Sequence, residues 1–104
     1  MFHSVLTILR QTRERNSRAV VLVPETGYLS ALKVLVGLYE QNSGRTARMP
    51  NGHLVTVLTP SMPLDTVTED FDLYLSGWGN ATRLEETALR SWTLKAKVVH
   101  TVLS

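Results

Sequence analysis

The sequence has no cysteine among its 104 residues. Disulfide staples, thiolate metal sites, Fe–S clusters and a cysteine nucleophile are thereby excluded, and a reducing, cytoplasmic setting is expected. Long apolar runs are lacking too, and nothing approaches the ~18 residues that a membrane span needs. Met1 to Arg10 shows no basic segment leading into an apolar run, so no signal peptide is expected. Asn80-Ala81-Thr82 fits a glycosylation sequon, but with no secretory leader it reads as chance. The three histidines, His3, His53 and His100, stand far apart with no i, i+4 pair. They read as isolated sheet or surface residues, so no metal site and no cofactor are expected. The sequence also shows no internal repeat and no low-complexity segment.

What is present fits one domain, residues 1–104, with a single modest core. Hydrophobic residues make up 43% and charged residues 19%, values of a folding globular chain. The formal net charge is +2 but unevenly placed. Residues 1–50 hold seven basic and three acidic side chains, a balance of +4, and residues 51–104 hold four and six, a balance of −2. An anionic partner for the first half is permitted by that asymmetry, not required.

Along the chain, Phe2, Val5, Leu6 and Leu9 recur at helical spacing and predict an amphipathic helix over 4–16, with Ser4 as N-cap. Ala19 to Val23 is an unbroken β-branched run, the pattern of a strand covered on both faces in a parallel or mixed sheet. Pro24-Glu25-Thr26-Gly27 reads as a loop, with the next helix starting near Thr26 or Gly27 and running to about residue 41. Leu29, Leu32, Leu35, Val36 and Tyr39 form its expected inward stripe. Asn42-Ser43-Gly44 is a helix stop.

Thr46 to Leu58 reads as a β-hairpin turning at Asn51-Gly52 in type I′ geometry, and Pro50 places its first strand at a sheet edge. Thr59 to Glu69, with Pro60 and Pro63, reads as a surface loop. Phe71, Leu73 and Leu75 alternate with Asp72, Tyr74 and Ser76, predicting a half-buried strand whose polar side faces water. After a turn at Gly77 to Asn80, Thr82-Arg83-Leu84-Glu85 resembles a capping box. It opens a helix through Trp92 with Leu84, Ala88, Leu89 and Trp92 inward. Lys97 to Leu103 closes the chain as a strand, with Val99 buried in the same sheet as Val21. The fold class is therefore α/β: a small mixed β-sheet of about four to five strands with about three packed helices.

No segment carries a complete catalytic constellation. Glu69-Asp70-Phe71-Asp72 concentrates acid, and a solvated strand start accounts for it better than a cation site or a general base. Ser76-Gly77-Trp78-Gly79 sets a hydroxyl, two glycines and an aromatic just after a strand, where helix N-termini offer N–H donors to anions. It is not G-x-S-x-G, so turn chemistry explains the glycines. Trp78 would serve as a partner-binding anchor if exposed. Arginine dominates the basic residues of the first half, with Arg10, Arg13, Arg15 and Arg18 expected at one helix end and Arg45 and Arg48 in one loop. Guanidinium groups suit phosphate, while a solvated helix face and a charged, aggregation-resistant edge account for them without one. The candidate partner-binding residues are thus Arg10, Arg13, Arg45, Arg48 and Trp78.

Arg18 to Glu25 (RAVVLVPE), Gly44 to Pro60 (GRTARMPNGHLVTVLTP), Asp70 to Trp78 (DFDLYLSGW) and Lys97 to Leu103 (KVVHTVL) follow one another in a telling order. In that order they resemble part of the P-loop NTPase core of helicases and phage terminases. The first segment stands where such cores have their second conserved strand and the third where they have the Walker B strand. No G-x-x-x-x-G-K-[ST] is present, and Ser76-Gly77 stands where Walker B acids would be. The resemblance therefore implies a catalytically inactive derivative and transfers no catalytic residue. The function expected is that of a non-enzymatic accessory or inhibitory protein, encoded by a phage or mobile element, that binds a protein partner. Nucleic-acid binding through the arginine clusters is the second reading and a small enzyme of unknown reaction the third. The chain is expected as a monomer or a homodimer, with no membrane association.

Overall fold

The computed structural model describes residues 2–11, 18–38, 44–50, 52–78 and 83–102. Their element order is α1 (Phe2–Gln11), β1 (Arg18–Leu22), α2 (Glu25–Leu38), β2 (Thr46–Arg48), β3 (Leu54–Leu58), β4 (Asp72–Ser76), α3 (Arg83–Lys95) and β5 (Val98–Val102). A single 3-10 turn, Leu64–Thr66, interrupts the loop between β3 and β4. The five strands form one mixed sheet in the order β2-β3-β1-β4-β5. β1 pairs in parallel with both β3 and β4, β4 in parallel with β5, and β2 antiparallel with β3. The α/β class and the mixed sheet with three helices agree with the sequence pattern.

Strand alternation divides the core into two layers. Ala19, Val21, Val23, Val55, Val57 and Tyr74 face α1 and α2, which contribute Val5, Leu6, Leu9, Ala31 and Leu35. Val20, Leu22, Leu58, Phe71 and Leu73 face the opposite way, toward Leu89 and Trp92 of α3 and toward Val67. The unbroken apolar run of β1 is explained by this position, because a central parallel strand meets a helical layer on each side. Trp92 is wholly buried and meets Phe71 edge-on, with ring centroids 6.0 Å apart. Its indole N–H points to the Pro60 carbonyl at 3.4 Å. The Lys95 ammonium donates to the carbonyls of Leu64 and Val67, tying the 3-10 turn to the end of α3.

Several local expectations shift. α1 begins at Phe2, so Ser4 lies inside it and is not its cap; the expected stretch over 12–16 lies outside the described residues. α2 begins at Glu25, whose carboxylate suits the positive end of the helix dipole, and Gly27 N–H donates to the Pro24 carbonyl. Its inward face is Tyr28, Ala31, Leu32, Val34 and Leu35, while Leu29 and Val36 point outward. Apolar residues span more than half of the circumference of α2, with Thr26, Ser30, Lys33 and Gly37 along the rest, so periodicity alone does not fix where the buried part ends. Tyr39 lies outside the described residues.

The hairpin forms, with its turn one residue earlier than expected. Gly52 N–H donates to the Met49 carbonyl, which closes a turn over 49–52 with Pro50 at its second position. The ring holds φ near −65°, which suits that corner and is incompatible with the positive φ of a type I′ first corner. Gly52, at φ +97°, then meets the strand, and Met49 N–H pairs with the His53 carbonyl. Asn51 itself lies outside the described residues. β4 is not half-buried: Leu73, Tyr74 and Ser76 are all enclosed, because α1 covers the side that carries the polar residues. α3 runs on to Lys95, and the capping box at Thr82 lies outside the described residues. β5 is the second correction to burial, with Val98 44% and Val99 40% exposed. It is an edge strand, so Val99 shares the sheet with Val21 but not its enclosure.

Candidate functional site

Parallel strands of an open α/β sheet present their carboxyl ends along one rim. Ligands usually bind where the chain leaves neighbouring strands toward opposite faces. Here that point lies between β1 and β4, because α2 packs with one layer and α3 with the other. Trp78 follows β4 at this rim, after Gly77 at φ +82°. Its indole N–H donates to the carbonyl of Leu22, the last residue of β1, at 3.0 Å. The ring is half-buried and packs with the α3 layer. Trp78 thus spans the switch point and joins the ends of two neighbouring strands, rather than standing free as an anchor.

The same rim carries a chain of hydroxyls. Ser61 Oγ donates to Glu25 Oε1 at 2.8 Å, and Ser61 Oγ and Thr59 Oγ1 lie 3.0 Å apart. These bonds fasten the first turn of α2 to the loop after β3. They hold the rim closed with protein groups.

The expected arginines stand on separate elements. Arg10 is exposed in the last turn of α1, which packs on the same side of the sheet as α2. Arg45 precedes β2 and Arg48 ends it, beyond both β1 and β3 from β4. At about 4.8 Å per strand step, that separates their strand from β4 by roughly 14 Å. Arg13 lies outside the described residues. Arg45 reaches the Met62 sulfur at 3.4 Å, and Arg48 the Gly52 carbonyl at 3.4 Å, so both lie against their own hairpin and its exit loop.

Arg18 makes contacts of its own across the sheet. Arg18 opens β1 instead of ending a helix, and Arg18 and Arg48 are both register partners of Leu54. Arg18 donates to Thr56 Oγ1 at 3.0 Å and to Glu69 at 3.2 Å, and Thr56 Oγ1 lies 3.0 Å from Thr46 Oγ1. Glu69 is 65% exposed, so the ion pair is mostly hydrated. Glu69→Ala is accordingly expected to cost less than about 1 kcal/mol in urea unfolding. A loss beyond ~2 kcal/mol would show that Arg18 depends on the carboxylate and not on its strand.

His53 is buried where the hairpin enters β3, while His100 is exposed on the opposite edge and stacks on Tyr74 at 4.5 Å and 12°. Among the described residues, no three His, Asp or Glu side chains converge as metal ligands. No helix among them is long and apolar enough to cross a membrane.

The surfaces that sequence patterning misplaced are apolar. Leu29 is 70% and Val36 51% exposed on α2, with exposed Lys33 between them. Positions 29, 33 and 36 fall at i, i+4 and i+7, one stripe along the outer side of the helix. The only signal for this stripe in the sequence was an excess of apolar residues over what one buried face can use. No family model, curated protein or solved structure matches the chain.

Proposed function

We propose that this chain works by binding a protein partner through the outer face of α2. The observation that carries this is the exposed Leu29–Lys33–Val36 stripe. The apolar arc of α2 is wider than the part the sheet covers, and its outer margin, Leu29 and Val36, remains exposed beside Lys33. The complementary surface is apolar at two points with an acidic group between them to meet the Lys33 ammonium. A second copy would fit poorly here, since it would bring one Lys33 toward another.

A non-enzymatic accessory or inhibitory role, with no chemical step, follows as part of the same proposal. An origin as an inactive derivative of a P-loop core, docking on an active relative, is compatible with it. A rim spanned by Trp78 supports that compatibility, because its indole takes the place where a sheet of this type would accept a ligand. Nucleic-acid binding draws less support, since Arg45 and Arg48 each lie against their own hairpin and its exit loop.

Photo-crosslinking in the cells that naturally produce the chain tests the proposal. A crosslinker at position 29 is expected to give one dominant protein adduct, and the same group at exposed Asp65 none. Leu29→Glu with Val36→Glu, read by a crosslinker at position 33, should abolish the adduct. Their stability should change by no more than about 0.5 kcal/mol each, as expected for surface positions. Equal adducts from positions 29 and 65, or an adduct that survives both glutamates, would refute it.

A further inference from the structure

We infer that β5 is a contact between two copies of this chain, paired antiparallel about a twofold axis at His100. The two edges of the sheet are built differently. β2 is three residues long, carries exposed Arg48, follows exposed Arg45 and runs into Pro50, all features that discourage pairing. β5 has five residues, Val-Val-His-Thr-Val, with no proline and no acidic or basic residue other than the imidazole. Val98, Val99, His100 and Thr101 are all exposed. Among the described residues no strand pairs with its outer edge, which leaves a row of backbone N–H and C=O groups for a further strand.

The order of residues favours a second copy over a foreign strand. With His100 opposite His100 of the other copy, Val98 falls opposite Val102 and Val99 opposite Thr101. Every pair off the axis is then β-branched on both sides, the type that packs well across antiparallel strands. Lys97 falls opposite position 103 of the other copy, so the two ammonium groups stay apart. A twofold axis perpendicular to the sheet keeps each face continuous, and the contact is self-complementary, as an isologous interface must be. On the α1 side, each His100 is already held flat against its own Tyr74. The axis therefore aligns four rings in one row, Tyr74 and His100 from each copy. This surface is separate from the α2 stripe, and neither proposal depends on the other.

The absence of cysteine makes the register testable with single thiols in the full chain. Residues directly opposite in an antiparallel pair lie about 4.5–5.5 Å apart at Cα, within disulfide range. Thr101 and its symmetry mate are diagonal, roughly 7–8 Å apart, at or beyond that range. His100→Cys is therefore expected to oxidise to a covalent dimer in several-fold higher yield than Thr101→Cys. The unmodified chain should rise from 11.6 kDa toward twice that mass by light scattering as its concentration increases. Val99→Lys should return it to monomer with an unchanged far-UV spectrum, and Thr101→Lys provides the same test should Val99→Lys disturb the fold. A monomer mass at every concentration overturns the inference, as does a dimer that both lysines leave intact. Equal disulfide yields from positions 100 and 101 would overturn the axis at His100.

Discussion

Trp92→Ala is expected to lower the free energy of unfolding by about 3–5 kcal/mol, the range for removing a large aromatic from a core. The side chain has no exposed surface and is the largest fully buried one in the domain. It joins α3 to the sheet through Phe71 and sits with Leu22, Leu58, Leu73 and Leu89, residues from four elements. Collapse cannot close the gap cheaply, because those neighbours are fixed by strand pairing. Domains of this size have ~5–15 kcal/mol in total, so the variant would lose from about a fifth to all of its stability. Its midpoint in heat should fall by more than about 12 °C, at ~4–8 °C per kcal/mol for a chain of this length. Urea unfolding with an unchanged slope gives the direct reading. A loss under ~1 kcal/mol would mean that α3 is not a structural part of the core.

Val21→Asp should prevent cooperative folding altogether near neutral pH. Val21 is fully buried in the central strand, between Val57 of β3 and Tyr74 of β4 and under the α1–α2 layer. An ionised carboxylate has no counter-charge there, and burying one unpaired costs more than such a domain can lose. The carboxyl would instead take up a proton on folding, which raises its folded pKa above the unfolded value of about 3.9. For an acid shifted upward the penalty is small below the unfolded pKa and grows as pH rises. Val21→Asp should therefore gain stability relative to Val21→Asn as pH drops toward 4, measured by urea unfolding at each pH. Equal stability of the two variants at every pH would mean that position 21 reaches water.

The order of all eight principal elements is legible in the sequence, and the reasons are local. Ala19 to Val23 has the composition of a doubly covered strand, and Pro50 with Gly52 signals a hairpin at an edge. What was not legible is which surfaces lack a cover. A run such as Val98-Val99 has the same β-branched character whether a helix lies over it or nothing does. The limit of burial on α2 is hidden by the width of its apolar arc, since Leu29 and Leu35 are equivalent in type and differ only in what the sheet reaches. β4 misled in the opposite sense. Asp72 and Ser76 marked one side as polar, yet α1 covers that side and Ser76 is enclosed with Tyr74. At the rim, Trp78 was placed correctly after a strand, but its bond to Leu22 joins positions distant in sequence, beyond the reach of local pattern.

The placement of β1 also governs how the chain comes together during synthesis. This strand is made before either of its neighbours, one of which begins at Leu54 and the other at Asp72. Until β4 has left the ribosome, Val20 to Leu22 keep one flank unpaired and hydrophobic on both sides, the condition under which nascent chains adhere to one another. Fragments that stop short of β4 should therefore precipitate or engage chaperones, while those that reach it can close the middle of the sheet before β5 is added.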